Sequence, residues 1–281
     1  MSWFVLALGA GLASAANVWA SKALLVKDNN PILVGGVVHL WGMLFCLLAW
    51  PFVPQQMTLT PIVGIGILLM GLIYVLANAL YFSALRQTQL SEIDLFLKTS
   101  SLWTFLLGIT LLGEQASGRA LLGAGCIVSS VLLLARRSQR IHLSRPQLLA
   151  LAAALMFGAG NTADKWLSSA FDPLSYTTLN LGVTGIGMLM LAKKHWGEFT
   201  TPNLRGGKAL LVGLTFALTQ LLIILAFAAG GSAGEVILVA QVRLLILVGA
   251  GVLVLNEREQ LGQKLLAVGI MLVGILVLYS G

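Results

Sequence analysis

Charge is what this 281-residue sequence has least of: Asp, Glu, Lys and Arg make up 10% of it, against 58% hydrophobic residues. Soluble proteins carry about a quarter charged residues. A water-facing surface cannot be assembled from so few, so lipid is the solvent for most of the chain. Cysteine is nearly absent as well. Cys46 and Cys126 both lie inside apolar runs, which leaves no disulfide framework and no metal-ligand spacing. The three histidines, His39, His142 and His195, are scattered, so the cluster that an intramembrane enzyme would need at one membrane face is missing. No glycine-rich loop runs into Lys–Ser or Lys–Thr, which argues against an ATP-driven pump. Nothing points to a flavin, nucleotide or metal cofactor. The net charge of +7 is never gathered into one long basic strip, which argues against nucleic acid as a partner and for cationic loops at a membrane face. No basic region precedes the first apolar run at Trp3 and no clear cleavage site follows it, so it reads as a retained span and not a signal peptide.

What the chain does have is long apolar runs, at about 3–25, 32–53, 61–86, 91–113, 118–136, 147–169, 174–193, 207–229, 234–255 and 260–279. Crossing a bilayer takes roughly 20 helical residues. An open sheet would leave backbone groups unpaired in lipid, and the alternation of a barrel strand is missing. The sequence therefore predicts an all-α integral membrane protein of ten transmembrane helices. The segments between the runs, such as "KDNNP", "PFVPQQMTLTP" and "GGSAG", are turn-rich and too short for a soluble domain.

The runs repeat. "SEIDLFLKTSSLWTFLLGITLLGE" (91–114) and "GEVILVAQVRLLILVGAGVLVLNE" (234–257) each carry glutamates 22 residues apart, Glu92 with Glu114 and Glu235 with Glu257; Lys98 in the first falls where Gln241 stands in the second. "GLIYVLAN" from Gly71 matches "GLTFALTQ" from Gly213, and Lys22 precedes "NNP" much as Lys165 precedes "FDP". Two halves follow, 1–138 and 145–281, each of five spans. Five is odd, so the second half enters the membrane from the opposite side, an inverted repeat of the kind secondary transporters use. The basic residues divide unevenly between the two faces. Thirteen lie in the loops after spans 1, 3, 5, 7 and 9, against Arg119 and Lys165 on the side shared by both termini. By the positive-inside rule the odd loops are cytoplasmic and both ends are not.

This layout resembles the drug/metabolite transporter superfamily, in its EamA-type branch of ten-helix carriers. The resemblance is carried by "ANVWASK" (16–22), "YFSALRQTQLSEIDLFLKTSSLWTFLLGITLLGEQAS" (81–117) and "VLVLNEREQLGQKLLAVGIMLVGILVL" (252–278). It implies a secondary carrier of small metabolites in the bacterial inner membrane, often an exporter, with its substrate in a central cavity between the halves. This chain departs from the family pattern in three places. Lys98 stands where the fourth helix is usually apolar, no basic residue follows span 2, and Ser14 and Ala15 replace the usual Trp-Gly pair. Family members usually keep both ends in the cytoplasm, the reverse of the charge count.

Two cations remain unassigned to loops, Lys98 and Arg243. Either costs on the order of 3 kcal/mol near the centre of an isolated membrane helix, so each needs water or a partner. Lys98 has Asp94 one turn back, as an internal pair or as a pair that a bound anion would open. Arg243 lies too deep for easy snorkelling. It either pairs with a neighbouring helix, Asp164 being one candidate, or grips a carboxylate or phosphate with two parallel hydrogen bonds. The superfamily's sugar-phosphate carriers are similar in having a lysine in the fourth helix and basic residues in the ninth. Asn17, Asn78, Asn161, Gln220 and Gln241 add polar groups at matching depths, either lining a cavity or joining helices. His39, Trp41, Tyr74 and Trp103 suit an aromatic wall. Glu92, Asp94, Asp164 and Glu235 are the carboxyls available for proton coupling.

The sequence thus predicts a transporter, not an enzyme. It would move small anion-bearing metabolites such as amino or organic acids, with lipid and solute as its partners, as a monomer or homodimer. Two alternatives stay open: an exporter of amphipathic drugs or cations, and an organophosphate exchanger.

Overall fold

The computed structural model describes residues 2–24, 30–85, 96–115, 117–135, 144–200, 206–246 and 261–279. Apolar sequence with internally satisfied backbone gives helices throughout: α1 (Trp3–Leu24), α2 (Pro31–Ala49), α3 (Pro61–Leu85), α4 (Ser100–Leu112), α5 (Gly118–Ala135), α6 (Arg145–Ser168), α7 (Pro173–Leu191), α8 (Gly207–Ala228), α9 (Ala233–Ala240) and α10 (Leu261–Tyr279). Among the described residues five segments are long and apolar enough to cross a membrane, lying in α1, α2 with the turn after it, α3, α7 and α8. The protein is an all-α integral membrane protein.

Local chemistry sets several ends. Asn30 accepts from the Ile32 and Leu33 amides ahead of α2, with Pro31 supplying the first helical residue. Asp172 does the same for α7, accepting from the Ser175 amide with Pro173 next to it. α4 stops at Gly113, whose φ of +66° is a left-handed conformation that a side chain would strain.

The two halves show their relation in how they pack. α1 lies on α8, and α6 lies on α3; α1 meets α9, and α6 meets α4; α2 meets α8, and α7 meets α3. Each pairing becomes its partner when every helix number is shifted by five. The pairs α2–α7, α4–α9 and α5–α10 join equivalent helices across the pseudo-twofold axis. This is the inverted repeat, realised as two interlocked five-helix units.

At one end of the bundle the halves are joined by a clasp. The α2–α3 loop runs against the α6–α7 loop, where Thr58 donates to the Ala170 carbonyl (2.9 Å), Asp172 to the Gln56 carbonyl (2.8 Å), and the Gln56 amide to Asp172 Oδ2 (3.0 Å). Trp50 Nε1 donates to Ser175 Oγ (3.2 Å), which donates to Gln55 Oε1. Burial pulls the Asp172 carboxyl upward, but hydrogen bonds from Ser175 and from the Gln56 and Leu174 amides outweigh it and hold the group below its usual range. A depressed carboxyl contributes stability above its unfolded pKa, roughly 3.9, and loses it as pH falls through the folded value. The wild-type melting temperature in detergent is therefore expected to fall below about pH 4, with a shallower fall in Asp172→Asn. Parallel pH profiles would show that the clasp does not respond to this carboxyl.

Two spans that the sequence presents as continuous are broken. The backbone turns at Lys98–Thr99 just before α4, and again at Gln241–Val242 just after α9. Both breaks tighten into i→i−3 bonding. Thr99 donates to Phe96 (3.1 Å) and Ser101 to Lys98 (3.3 Å); Gln241 donates to Leu238 (3.0 Å), Val242 to Val239 (3.0 Å) and Leu244 to Gln241 (2.8 Å). Lys98 and Gln241 are the repeat equivalents noted above, so the breaks are related by the same axis as the halves.

Candidate functional site

Broken helices at corresponding points of two inverted repeats are where transporters expose backbone and polar side chains to a solute. Three of the candidate binding residues fall at these breaks. Lys98 is 6% exposed and Gln241 4%. Gln241 Oε1 is buried with no hydrogen-bond partner among the described residues. Arg243 begins the short helical turn after the second break and sends Nη1 to Ser14 Oγ on α1 (3.0 Å). Its Nε is also buried and unpartnered among the described residues. The ion pair with Asp164 that the sequence leaves open does not form: Arg243 is held by Ser14, and Asp164 by Tyr74, Tyr176 and Asn180.

Asp164 is the centre of a second polar group. It is 2% exposed. Its Oδ1 accepts from Tyr176 Oη (2.7 Å) and Asn180 Nδ2 (2.9 Å) on α7, and its Oδ2 from Tyr74 Oη (2.6 Å) on α3. Tyr74 Oη also lies 3.1 Å from Asn161 Oδ1, and Asn161 Nδ2 donates to Thr104 Oγ1 on α4 (3.2 Å). A chain of neutral groups thus runs from a buried carboxyl to the first turn of α4, beside the Lys98–Thr99 break. Lys165, next in sequence to Asp164, turns away and donates to the Phe227 carbonyl (2.9 Å) at the end of α8.

Of the remaining amide candidates, Asn17 alone joins two helices among the described residues. Asn17 Nδ2 donates to the Val212 carbonyl (2.9 Å) and Thr215 Oγ1 (3.1 Å), tying α1 to α8. Asn78 donates to the Tyr74 carbonyl of its own helix (2.8 Å). Gln220, half-buried on α8, makes no hydrogen bond among the described residues. Tyr74 and Trp103 pack on α6 at Gly160 and Gly158, His39 lies tilted against Phe216 (4.7 Å between centroids, 56° between ring planes), and Trp41 lies against Gly213 of α8. His39 Nδ1 donates to the Gly35 carbonyl (2.8 Å). Glu235 sits in the first turn of α9, where Ser232 Oγ donates to its carboxylate (2.9 Å) and accepts from its amide (3.2 Å). Glu92 and Asp94 lie outside the described residues.

Four partners are given no role by the sequence: Ser14, Thr104, Tyr176 and Asn180. Only Tyr176 and Asn180 leave a trace, since a spacing of four residues puts them on one helical face. Glu114 is more legible. Its Oε1 accepts the Ala233 amide (2.7 Å), joining the end of α4 to the positive end of α9 in the other half. Hydrogen bonds to charged groups contribute about 1.5–3 kcal/mol. Glu114→Ala is therefore expected to lower the melting temperature by several degrees, and Glu114→Gln, which still accepts, to lose less. Equal losses in the two variants would count against the cap. Beyond this link, at the end of the bundle that carries the amino terminus, a cavity of about 370 Å³ is lined by Trp3, Gln115, Ser117, Arg119, Glu235 and Leu278.

Known proteins bear on these features at two levels. A solved crystal structure 17% identical in sequence superposes with a TM-score of 0.65, covering 98% of this chain and 95% of its own, which shows a shared fold. No curated protein matches the chain at a significant level. Residues 1–136 and 145–280 each match the EamA-like transporter family, one match to each five-helix half. The chain belongs to that family, and is a multi-pass membrane transporter of small solutes.

Proposed function

We propose that the protein is a secondary transporter that moves small anion-bearing metabolites, amino or organic acids, outward by alternating access. The anion is held at the two broken helices, with Arg243 as its principal ligand and Lys98 and Gln241 as further polar contacts. One observation carries this reading. Arg243 has no carboxylate among the described residues, a single hydroxyl partner, and a buried Nε with an unused proton. A guanidinium kept in an apolar bundle without a counter-ion among the described residues suits a planar carboxylate that accepts two parallel bonds. Export and the inner-membrane setting rest on the family resemblance. The placing of both ends on the non-cytoplasmic side rests on the loop charges, and the cavity that brings Trp3 beside the α4–α5 loop supports a shared face for the amino terminus and that loop.

Purified protein in liposomes, loaded in turn with labelled carboxylates, phosphate esters and amphipathic cations, tests the reading. Counterflow of a carboxylate that Arg243→Ala abolishes supports it. Transport confined to cations and unaffected by Arg243→Ala overturns it in favour of the drug exporter. Exchange confined to phosphate esters moves the substrate to an organophosphate.

A further inference from the structure

Tyr74 has one hydroxyl proton and two acceptors within reach, Asp164 Oδ2 at 2.6 Å and Asn161 Oδ1 at 3.1 Å. It can serve only one of them at a time. With Asp164 ionised, the proton points to Oδ2 and Asn161 Oδ1 loses that bond. With Asp164 protonated, the carboxyl O–H donates to Tyr74 Oη and the Tyr74 proton swings to Asn161. The far side of Asn161 is fixed on Thr104 Oγ1, which donates in turn to the Ser100 carbonyl (2.9 Å). The protonation state of one carboxyl on α6 is thereby written into the first turn of α4, next to the break that carries Lys98.

Resting on the transport reading above, we propose that the coupling ion is the proton, that Asp164 carries it, and that the Tyr74–Asn161–Thr104 relay transmits it to the α4 break. Each cycle takes one proton from water at one membrane face onto an Asp164 oxygen and returns it to water at the other, with only O–H bonds made and broken. The surroundings suit this and little else. Among the described residues the titratable groups facing Asp164 are Tyr74 from α3 and Tyr176 from α7. Among those residues α4 presents only neutral Thr104, α8 takes Lys165 on its Phe227 carbonyl, α9 holds Glu235 on Ser232, and Asp164 forms no ion pair. A buried carboxyl with no fixed counter-charge is poised to gain and lose a proton. A bundle needing only helix-to-helix glue would be served by an amide.

Counterflow without a gradient and accumulation driven by a pH gradient separate this proposal from the transport reading. In wild-type liposomes loaded with pyranine, a transported carboxylate is expected to move protons with it, and a pH gradient to drive accumulation. Asp164→Asn keeps the shape and removes the titration. It is expected to lose gradient-driven accumulation and proton flux while counterflow stays within about threefold. Tyr74→Phe keeps the carboxyl and removes the swinging proton, and is expected to cut the ratio of driven accumulation to counterflow at least tenfold. Absence of counterflow for every solute in the wild type defeats the transport reading. Counterflow without proton movement in the wild type, or driven accumulation that survives Asp164→Asn, defeats the relay. Should both variants fail to fold by size exclusion, the wild-type pyranine signal alone decides: no proton movement on adding substrate overturns the proposal.

Discussion

Arg243→Ala is expected to reduce counterflow of a carboxylate substrate by about a hundredfold or more. Truncating one partner of a buried charge-assisted pair costs roughly 2–5 kcal/mol, and every 1.4 kcal/mol or so is tenfold. The Ser14 contact engages only Nη1, so the remaining guanidinium donors can be released to a substrate without unfolding the α1–α9 contact. Arg243→Lys keeps the charge but not the planar fork, and is expected to fall between, at about a tenfold loss. Thermal shift with the same carboxylate gives a second readout. The ligand should raise the melting temperature of wild type and leave Arg243→Ala unmoved. A variant that transports normally and is stabilised normally would show that the arginine only braces α1.

Gly158→Leu is expected to stop the protein from folding in the membrane. A Cβ at Gly158 would lie 2.5 Å from Trp103 Cβ, 3.1 Å from the Thr104 amide nitrogen and 3.2 Å from the Ser100 carbonyl. Two of those three neighbours are backbone, which cannot rotate away, so α4 must move off α6. Overpacking of this kind costs about 1–3 kcal/mol even for small additions, and the shift also separates Asn161 from Thr104. Gly125→Leu is the control, since a Cβ there meets nothing within 4 Å and the added side chain enters lipid. Fluorescence-detected size exclusion should show a folded peak for Gly125→Leu and aggregate for Gly158→Leu. Two equal folded peaks would mean that the crossing is looser than its geometry.

The ten-helix plan and the duplicated halves are legible because lipid imposes length and apolarity on each span, and because matching glutamates survive at both ends of spans 4 and 9. Asp164, Asn161 and Arg243 are legible for a related reason: a polar atom in hydrocarbon needs an explanation wherever it falls. Their partners are not. Thr104, Ser14 and Tyr176 are ordinary residues of membrane helices, and only the fold reveals which of them meets a charge. The helix breaks are hidden as well. "LKTS" and "AQVR" contain neither proline nor glycine, so the turns at Lys98–Thr99 and Gln241–Val242 come from the tertiary setting and not from local propensity.

The clasp between the α2–α3 and α6–α7 loops has a kinetic meaning for a carrier. If cargo leaves through that end, every departure must first rupture the small ladder of bonds around Gln56, Thr58, Asp172 and Ser175. Its strength then sets a compromise between turnover and leak. A weaker latch would let each load out sooner, and would let solute slip through unaccompanied in the intervals between loads.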